Sequence, residues 1–169
     1  MNGIVISVFA GLGKTYVGNK YSNVCDLVSS PYRYDYSGID NKDYEKKKYD
    51  LSRIPNPLWP NNYLNAILDA RKKYDIVLVP SNLDIRELLL SNHIDFLFVL
   101  PSSDLDYREI LINRYKKRGN NDNLILEVMS YFDNWSREQN DYSYPIFVID
   151  KGQFLEDFLL EKKLLWYNN

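Results

Sequence analysis

The sequence predicts an α/β fold, a three-layer α/β/α arrangement in which a five-stranded parallel sheet lies between two layers of helices. Three observations carry this. Short apolar, β-branched runs recur at residues 3–9, 23–28, 75–81, 95–101 and 145–150, with helix-patterned segments between them, the alternation that builds parallel sheets. The runs Ile76-Val77-Leu78-Val79 and Phe96-Leu97-Phe98-Val99-Leu100 are continuously apolar, as strands covered by helices on both faces must be. The first run passes through Gly11 and Gly13 straight into a helix start, the strand-turn-helix opening of nucleotide-binding α/β sheets.

Each element follows in turn. Residues 3–9 form the first strand and 14–20 the first helix. A second short strand over 23–28 stops at Ser29-Ser30-Pro31. From Tyr32 to Pro60 the periodicity is lost: residues 32–38 are turn-rich, and 40–50 are strongly charged. Within the charged part, Lys46-Lys47-Lys48 reads as a solvated face. Pro55, Pro57 and Pro60 then bar a helix. Residues 32–60 therefore read as an insertion over one end of the sheet within a single domain spanning 1–169. Asn61-Asn62 caps a helix running to 73, with Leu64, Ile67 and Leu68 on one face. Helices over 84–91, 104–118 and 123–135 follow, the second stopped by Gly119-Asn120-Asn121. A last helix over 153–165 turns Phe154, Leu155, Phe158 and Leu159 toward the core.

Composition narrows the function classes. A chain of 169 residues with 45% hydrophobic and 26% charged side chains can bury a substantial core as one globular domain. A net charge of -2 supplies no positive field to gather a polyanion, so general nucleic-acid binding is not expected. The single cysteine, Cys25, excludes an internal disulfide and a cysteine-only zinc site, and its apolar neighbours make it a buried structural thiol. His93, after Ser91-Asn92, reads as a helix-end residue, and the 15 tyrosines as a compositional bias. The N-terminal apolar run is short and broken by glycines, so neither a secretory leader nor a membrane span is expected, and the protein reads as cytoplasmic.

The chemistry concentrates at the first turn. Ala10-Gly11-Leu12-Gly13-Lys14-Thr15 matches the later part of the pattern Gly-x-x-x-x-Gly-Lys-Ser/Thr, with Val8 where the first glycine belongs. In this pattern backbone N–H groups surround a phosphate, Lys14 adds a full charge, and the Thr15 hydroxyl binds Mg²⁺. Ligands of such sheets bind at the carboxyl ends of the strands, which directs attention to Asp26, Ser29 and Ser30, to the segment from Ser81 to Arg86, and to the residues after Pro101. No acid directly follows the strand ending at Val79, so the metal-side carboxylate is Asp26, or Asp84 if its loop curls back. Arg86 is positioned to reach over the sheet edge to a phosphate, or to pair with Glu87 or Asp84. Arg114 and Arg118, four residues apart before a glycine hinge, share a helical face and suit a lid over 104–121.

With these pieces in order, the chain resembles the nucleoside monophosphate kinase family, and within it the small phage-type adenylate kinase-like and deoxynucleoside monophosphate kinase proteins. The matching segments are Ala10 to Thr15, Asp26-Leu27-Val28-Ser29-Ser30, Asn56 to Tyr63, Asp75 to Ser81 with Arg86, and Arg114 to Asn120. The resemblance implies a P-loop NTPase fold that transfers a phosphoryl group from ATP, with Mg²⁺, to a nucleoside or deoxynucleoside monophosphate. Gly11, Leu12, Gly13, Lys14, Thr15 and Tyr16 would hold ATP, Thr15 and Asp26 the metal, and Asp26, Ser29, Ser30, Arg33 and Arg86 the monophosphate. Lys14, Arg86, Arg114 and Arg118 would act on the phosphoryl group in flight. Nucleotides are then the expected partners of a monomer or homodimer in the cytoplasm, the host's if the chain is phage-encoded. The alternatives are a non-catalytic nucleotide-binding sensor or sequestering protein, and a kinase for another small acceptor.

Overall fold

The structure, a computed structural model, describes residues 2–35, 54–137 and 144–165. All the strands expected from apolar runs form, as β1 (Ile4–Val8), β2 (Val24–Asp26), β5 (Ile76–Pro80), β6 (Phe96–Pro101) and β7 (Ile146–Ile149). They make one five-stranded, all-parallel sheet in the order β2-β5-β1-β6-β7. A short antiparallel ribbon of β3 (Tyr34–Asp35) and β4 (Ile54–Pro55) brings together the two ends of residues 36–53. Those residues, including the expected lysine face at Lys46-Lys47-Lys48, lie outside the described part.

Burial explains the order. β1 sits at the centre, with Val5, Ile6 and Val8 fully buried, and β5 beside it buries all four of Ile76, Val77, Leu78 and Val79. Only strands apolar on both faces fit there. The helices are α1 (Lys14–Lys20), α2 (Ser30–Arg33), α3 (Asn61–Arg71), α4 (Leu83–Ser91), α5 (Leu105–Lys117), α6 (Asp122–Arg137) and α7 (Leu155–Glu161). From β1 the chain moves through α1 to the β2 edge, and every later crossover moves the other way. With right-handed connections this reversal puts helices on both faces. It also opens a crevice at the carboxyl end of β1, where such sheets take their ligands.

Two boundaries differ from the sequence reading. α7 ends at Glu161 rather than at 165, because Lys163 turns into the left-handed region at φ 56 and the N–H groups of Leu164 and Leu165 both reach back to the Leu159 carbonyl. The apolar spacing persists through this turn, since Leu165 is still buried. α2 forms where a turn-rich stretch was expected, with Pro31 inside its first turn, where a missing N–H costs nothing. Cys25 is half-buried, burial pushes its thiol up, and His93 is exposed in the turn after α4. Among the described residues no helix is long and apolar enough to cross a membrane.

The base of the insertion is fastened by Tyr63 of α3. Its side chain is fully buried, its hydroxyl donates to the Leu27 carbonyl at 2.7 Å, and its ring packs on Tyr32 at 5.3 Å and Trp59 at 5.5 Å. The loop after β2 therefore has a fixed course over the sheet edge. Tyr63→Phe leaves that carbonyl without its buried donor and is expected to lower stability by about 1–3 kcal/mol, read as a shifted urea midpoint at unchanged slope.

Candidate functional site

The loop after β1 is shaped by its two glycines. Phe9 still extends the ladder, donating to the Val99 carbonyl at 2.9 Å, and then Gly11 and Gly13 turn the chain at φ 87 and 107. Side chains rarely adopt such angles, which explains both glycines. Val8, by contrast, is the last residue of β1, in register with Pro80 and Val99, and its φ is negative. A valine suits that extended position, so no glycine is required there. Among the described residues, no backbone N–H from Ala10 to Tyr16 donates to a carbonyl or side chain. A run of unpaired donors at a strand-helix junction is a ready anion site.

The loop is held from outside. Leu12 is fully buried and its carbonyl accepts from the Leu155 N–H at 2.9 Å, tying the loop to the start of α7. Arg114 Nη1 donates to the Gly11 carbonyl at 3.4 Å, while its guanidinium stacks 4.1 Å from the Phe154 ring. Tyr107 of α5, also fully buried, donates through its hydroxyl to the Gln153 carbonyl at 3.4 Å.

Inside the loop the charged groups converge. Lys14 folds back so that Nζ donates to the Val8 carbonyl at 3.2 Å. Burial holds its ammonium group below the ordinary value of 10.5; nearby Asp26 opposes that fall and Arg118 adds to it. Thr15 Oγ1 donates to Asp26 Oδ2 at 2.8 Å. This contact exists because Gly18 lets α1 lie against β2: a Cβ there would stand 2.8 Å from Asp26 Cβ and 3.1 Å from its amide nitrogen. The second carboxylate oxygen, Asp26 Oδ1, is buried without a hydrogen-bond partner among the described residues. A hydroxyl and a half-used carboxylate fit Mg²⁺, which takes one or two protein carboxylates and fills the rest of its shell with water and phosphate. Among the described residues there is no group of three or more acids, histidines or cysteines that would make an all-protein cage.

A cleft of 820 Å³ opens over this junction. It gathers Gly11, Gly13, Lys14, Thr15, Tyr16, Asp26, Ser29, Ser30, Arg86 and Arg118 into one lining, so most of the residues singled out from separate strand ends share one space. Arg86 is buried, with Nε donating to the Ser81 carbonyl at 3.1 Å, Nη1 donating to the Tyr144 hydroxyl, and the guanidinium 4.5 Å above the Phe98 ring. It thus pairs with neither Glu87 nor Asp84. Asp84 instead accepts from Arg33, whose guanidinium stacks 4.5 Å from Trp59 outside the cleft lining. That pairing leaves Asp26 as the carboxylate at the loop. Arg118 is exposed and lines the cleft, whereas Arg114 is on the outside of the loop. Arg108 is bound to Asp133 of α6 through two bonds of 2.9 and 3.0 Å. Sequence reasoning missed Gly18, although a glycine inside a helix, costly by about 1 kcal/mol, is a signal of close packing. It also missed the cleft-lining side of α6, whose pattern is that of any amphipathic helix.

The buried ammonium makes a stability prediction with a definite sign. Below its lowered pKa, Lys14 is charged in both folded and unfolded chains and the desolvation cost is fully present. As pH rises through that pKa toward 10.5, the folded protein gives up the proton first and the cost shrinks. Lys14→Met is therefore expected to raise the melting temperature of the ligand-free protein most at neutral pH and progressively less as pH rises; an equal or lower melting temperature at pH 7 contradicts the assignment. Gly18→Ala acts oppositely. Overpacking against Asp26 is expected to cost about 1–3 kcal/mol despite alanine's better helix propensity, measured by chemical denaturation.

No protein-family model matches the chain, and no curated protein sequence matches it.

Proposed function

We propose that the protein is a nucleoside or deoxynucleoside monophosphate kinase, catalysing ATP + (d)NMP ⇌ ADP + (d)NDP. The observation that carries this reading is the junction of Lys14, Thr15 and Asp26 beneath a row of unpaired loop N–H groups, faced by Arg86 and Arg118 across one cleft. Its volume of 820 Å³ falls in the range of small-molecule sites.

The chemistry asks little covalent work of the protein. The attacking group is an oxygen of the acceptor's phosphate, whose second ionisation lies near pH 6 (pKa about 6), so at neutral pH it is already a nucleophile and needs no general base. It forms the new P–O bond to the γ-phosphorus as the bond to the bridging oxygen breaks, and ADP carries away the electron pair. What remains is positioning and charge neutralisation. The loop N–H groups and Lys14 hold the donor's phosphates. Arg86, its plane fixed by Ser81 and Tyr144, lines the cleft as the buried positive charge for the acceptor's phosphate. Arg118 approaches from the end of α5 to spread charge on the transferred group. Mg²⁺, held by Thr15 and Asp26, would supply further neutralisation of the phosphate oxygens. Arg114 serves from outside, keeping the loop in shape. On this reading the protein works on small nucleotides in the cytoplasm, as a monomer or homodimer.

Labelled ATP with a panel of ribo- and deoxyribonucleoside monophosphates tests the proposal. Wild-type protein is expected to yield ADP and a labelled diphosphate, and Lys14→Ala to lower kcat/KM by about 10²–10³-fold. Nucleotide binding by calorimetry with no ADP formed for any acceptor would establish the sensor or sequestering reading instead. Transfer only to acceptors that are not nucleotides would establish the other kinase reading.

A further inference from the structure

We infer that one side of α6 forms the wall of the acceptor site, seating a nucleobase against Tyr131 and reading its N–H groups through Glu127. This rests on the kinase reading above and names the substrate class of the same cleft. α6 carries two adjacent stripes. Ile125, Val128, Met129 and Phe132 are buried and face the core. Beside them Leu124, Glu127, Tyr131 and Asn134, spaced by three, four and three residues, all line the cleft that holds Lys14 and Arg86. That spacing places them in one row on the helix. The row contains an apolar residue, a carboxylate, an aromatic ring and an amide, the mixture that binds a flat heterocycle with polar edges.

α6 begins at Asp122, shortly after Arg118, which lines the same cleft. Burial, then Glu127, push the Tyr131 phenol up, and Arg33 and Asp84 also act on it. Tyr131 thus lies near the place where Arg33 of α2 and Asp84 of α4 meet. Glu127 is one helical turn back, about 6 Å along the axis. Arg86 and this wall line one cleft, so an acceptor with its phosphate on Arg86 has the wall within the same space for its base. Tyr131 is 47% exposed and Leu124 is half-buried, so the ring has an open face for stacking.

The carboxylate sets the preference. An ionised carboxylate only accepts hydrogen bonds. Guanine offers two adjacent donors on its Watson–Crick edge, while adenine and cytosine offer an exocyclic amine. Thymine and uracil offer a single N–H flanked by carbonyl oxygens, which a carboxylate repels. The acceptor class assigned here is therefore the amine-bearing bases, guanine first.

The test is steady-state transfer from ATP by full-length wild-type, Glu127→Gln, Tyr131→Leu and Tyr131→Phe proteins, with GMP, AMP, CMP, UMP and their deoxy forms including dTMP. Both positions are exposed, and melting temperatures within a few degrees of wild type would show that the variants fold. The expected wild-type order is guanine, then adenine and cytosine, with thymine and uracil poorest. Tyr131→Leu is expected to raise KM for the monophosphate about tenfold and leave KM for ATP unchanged, with Tyr131→Phe restoring it. Glu127→Gln is expected to lower the guanine-over-uracil ratio of kcat/KM about tenfold. Transfer with unchanged acceptor KM in Tyr131→Leu, an unchanged base ratio in Glu127→Gln, or a preference for thymine or uracil overturns the α6 assignment while the kinase reading stands. Absence of transfer to every monophosphate by the wild-type protein overturns the kinase reading, and this assignment with it.

Discussion

The close approach of α1 to β2 is the constraint on which the rest of the site depends. The approach is possible because Gly18 has no Cβ to meet Asp26, and it brings the Thr15 hydroxyl within 2.8 Å of the Asp26 carboxylate. Without it the Asp26 carboxylate would stand off from the Thr15 hydroxyl. β2 is the edge strand beyond β5, two positions from β1, so the loop's acidic partner comes from across the sheet rather than from the neighbouring strand. β5 ends in Pro80 and is followed by Ser81 and Asn82. The carboxylate missing from that strand end is supplied by Asp26.

An open loop of unpaired N–H groups around a buried ammonium is expensive to hold. Each element pressed against it offsets part of that cost. The carbonyl of Leu12 is tied to α7, that of Gly11 to Arg114, and that of Val8 to Lys14 itself. These three carbonyls are therefore occupied, whereas the loop N–H groups from Ala10 to Tyr16 have no partner among the described residues. An anion entering there restores hydrogen bonding to the loop and a counter-charge to Lys14. On the kinase reading proposed above, the ligand-free protein keeps an electrostatic arrangement that phosphate binding would relax, a trade of stability for activity.

How much of this was legible in the sequence depends on the range of the interaction. The strands were readable because their apolar runs are local and continuous, and the loop because Gly11, Gly13, Lys14 and Thr15 are contiguous. The end of α7 was not, since the apolar spacing runs on through the left-handed turn at Lys163. Partner choice was the least legible feature. Arg86 meets Tyr144, 58 residues on, in preference to the acids beside it, and Asp84 is taken by Arg33, 51 residues back. Local spacing cannot rank such long-range pairs against neighbours, because the choice is made by which elements the sheet brings together. The cleft side of α6 was hidden for a related reason: Glu127 and Tyr131 lie on a helix whose core stripe already accounts for its amphipathic pattern.

Val8 shows how a departure from a motif is to be weighed. The pattern asks for glycine at that position, and valine there would be damaging if the turn began at residue 8. It begins later. Val8 is held on both sides by register with Pro80 and Val99, Phe9 continues the ladder to Val99, and the left-handed angles fall on Gly11 and Gly13. The strand has been extended at the expense of the turn, and the valine side chain is absorbed by the core at zero exposure. What the site requires at this point is a carbonyl for Lys14 to grasp, which any residue supplies. On the proposed reading the groups that would face the anion are the later N–H groups and the ammonium, and there the chain keeps both glycines.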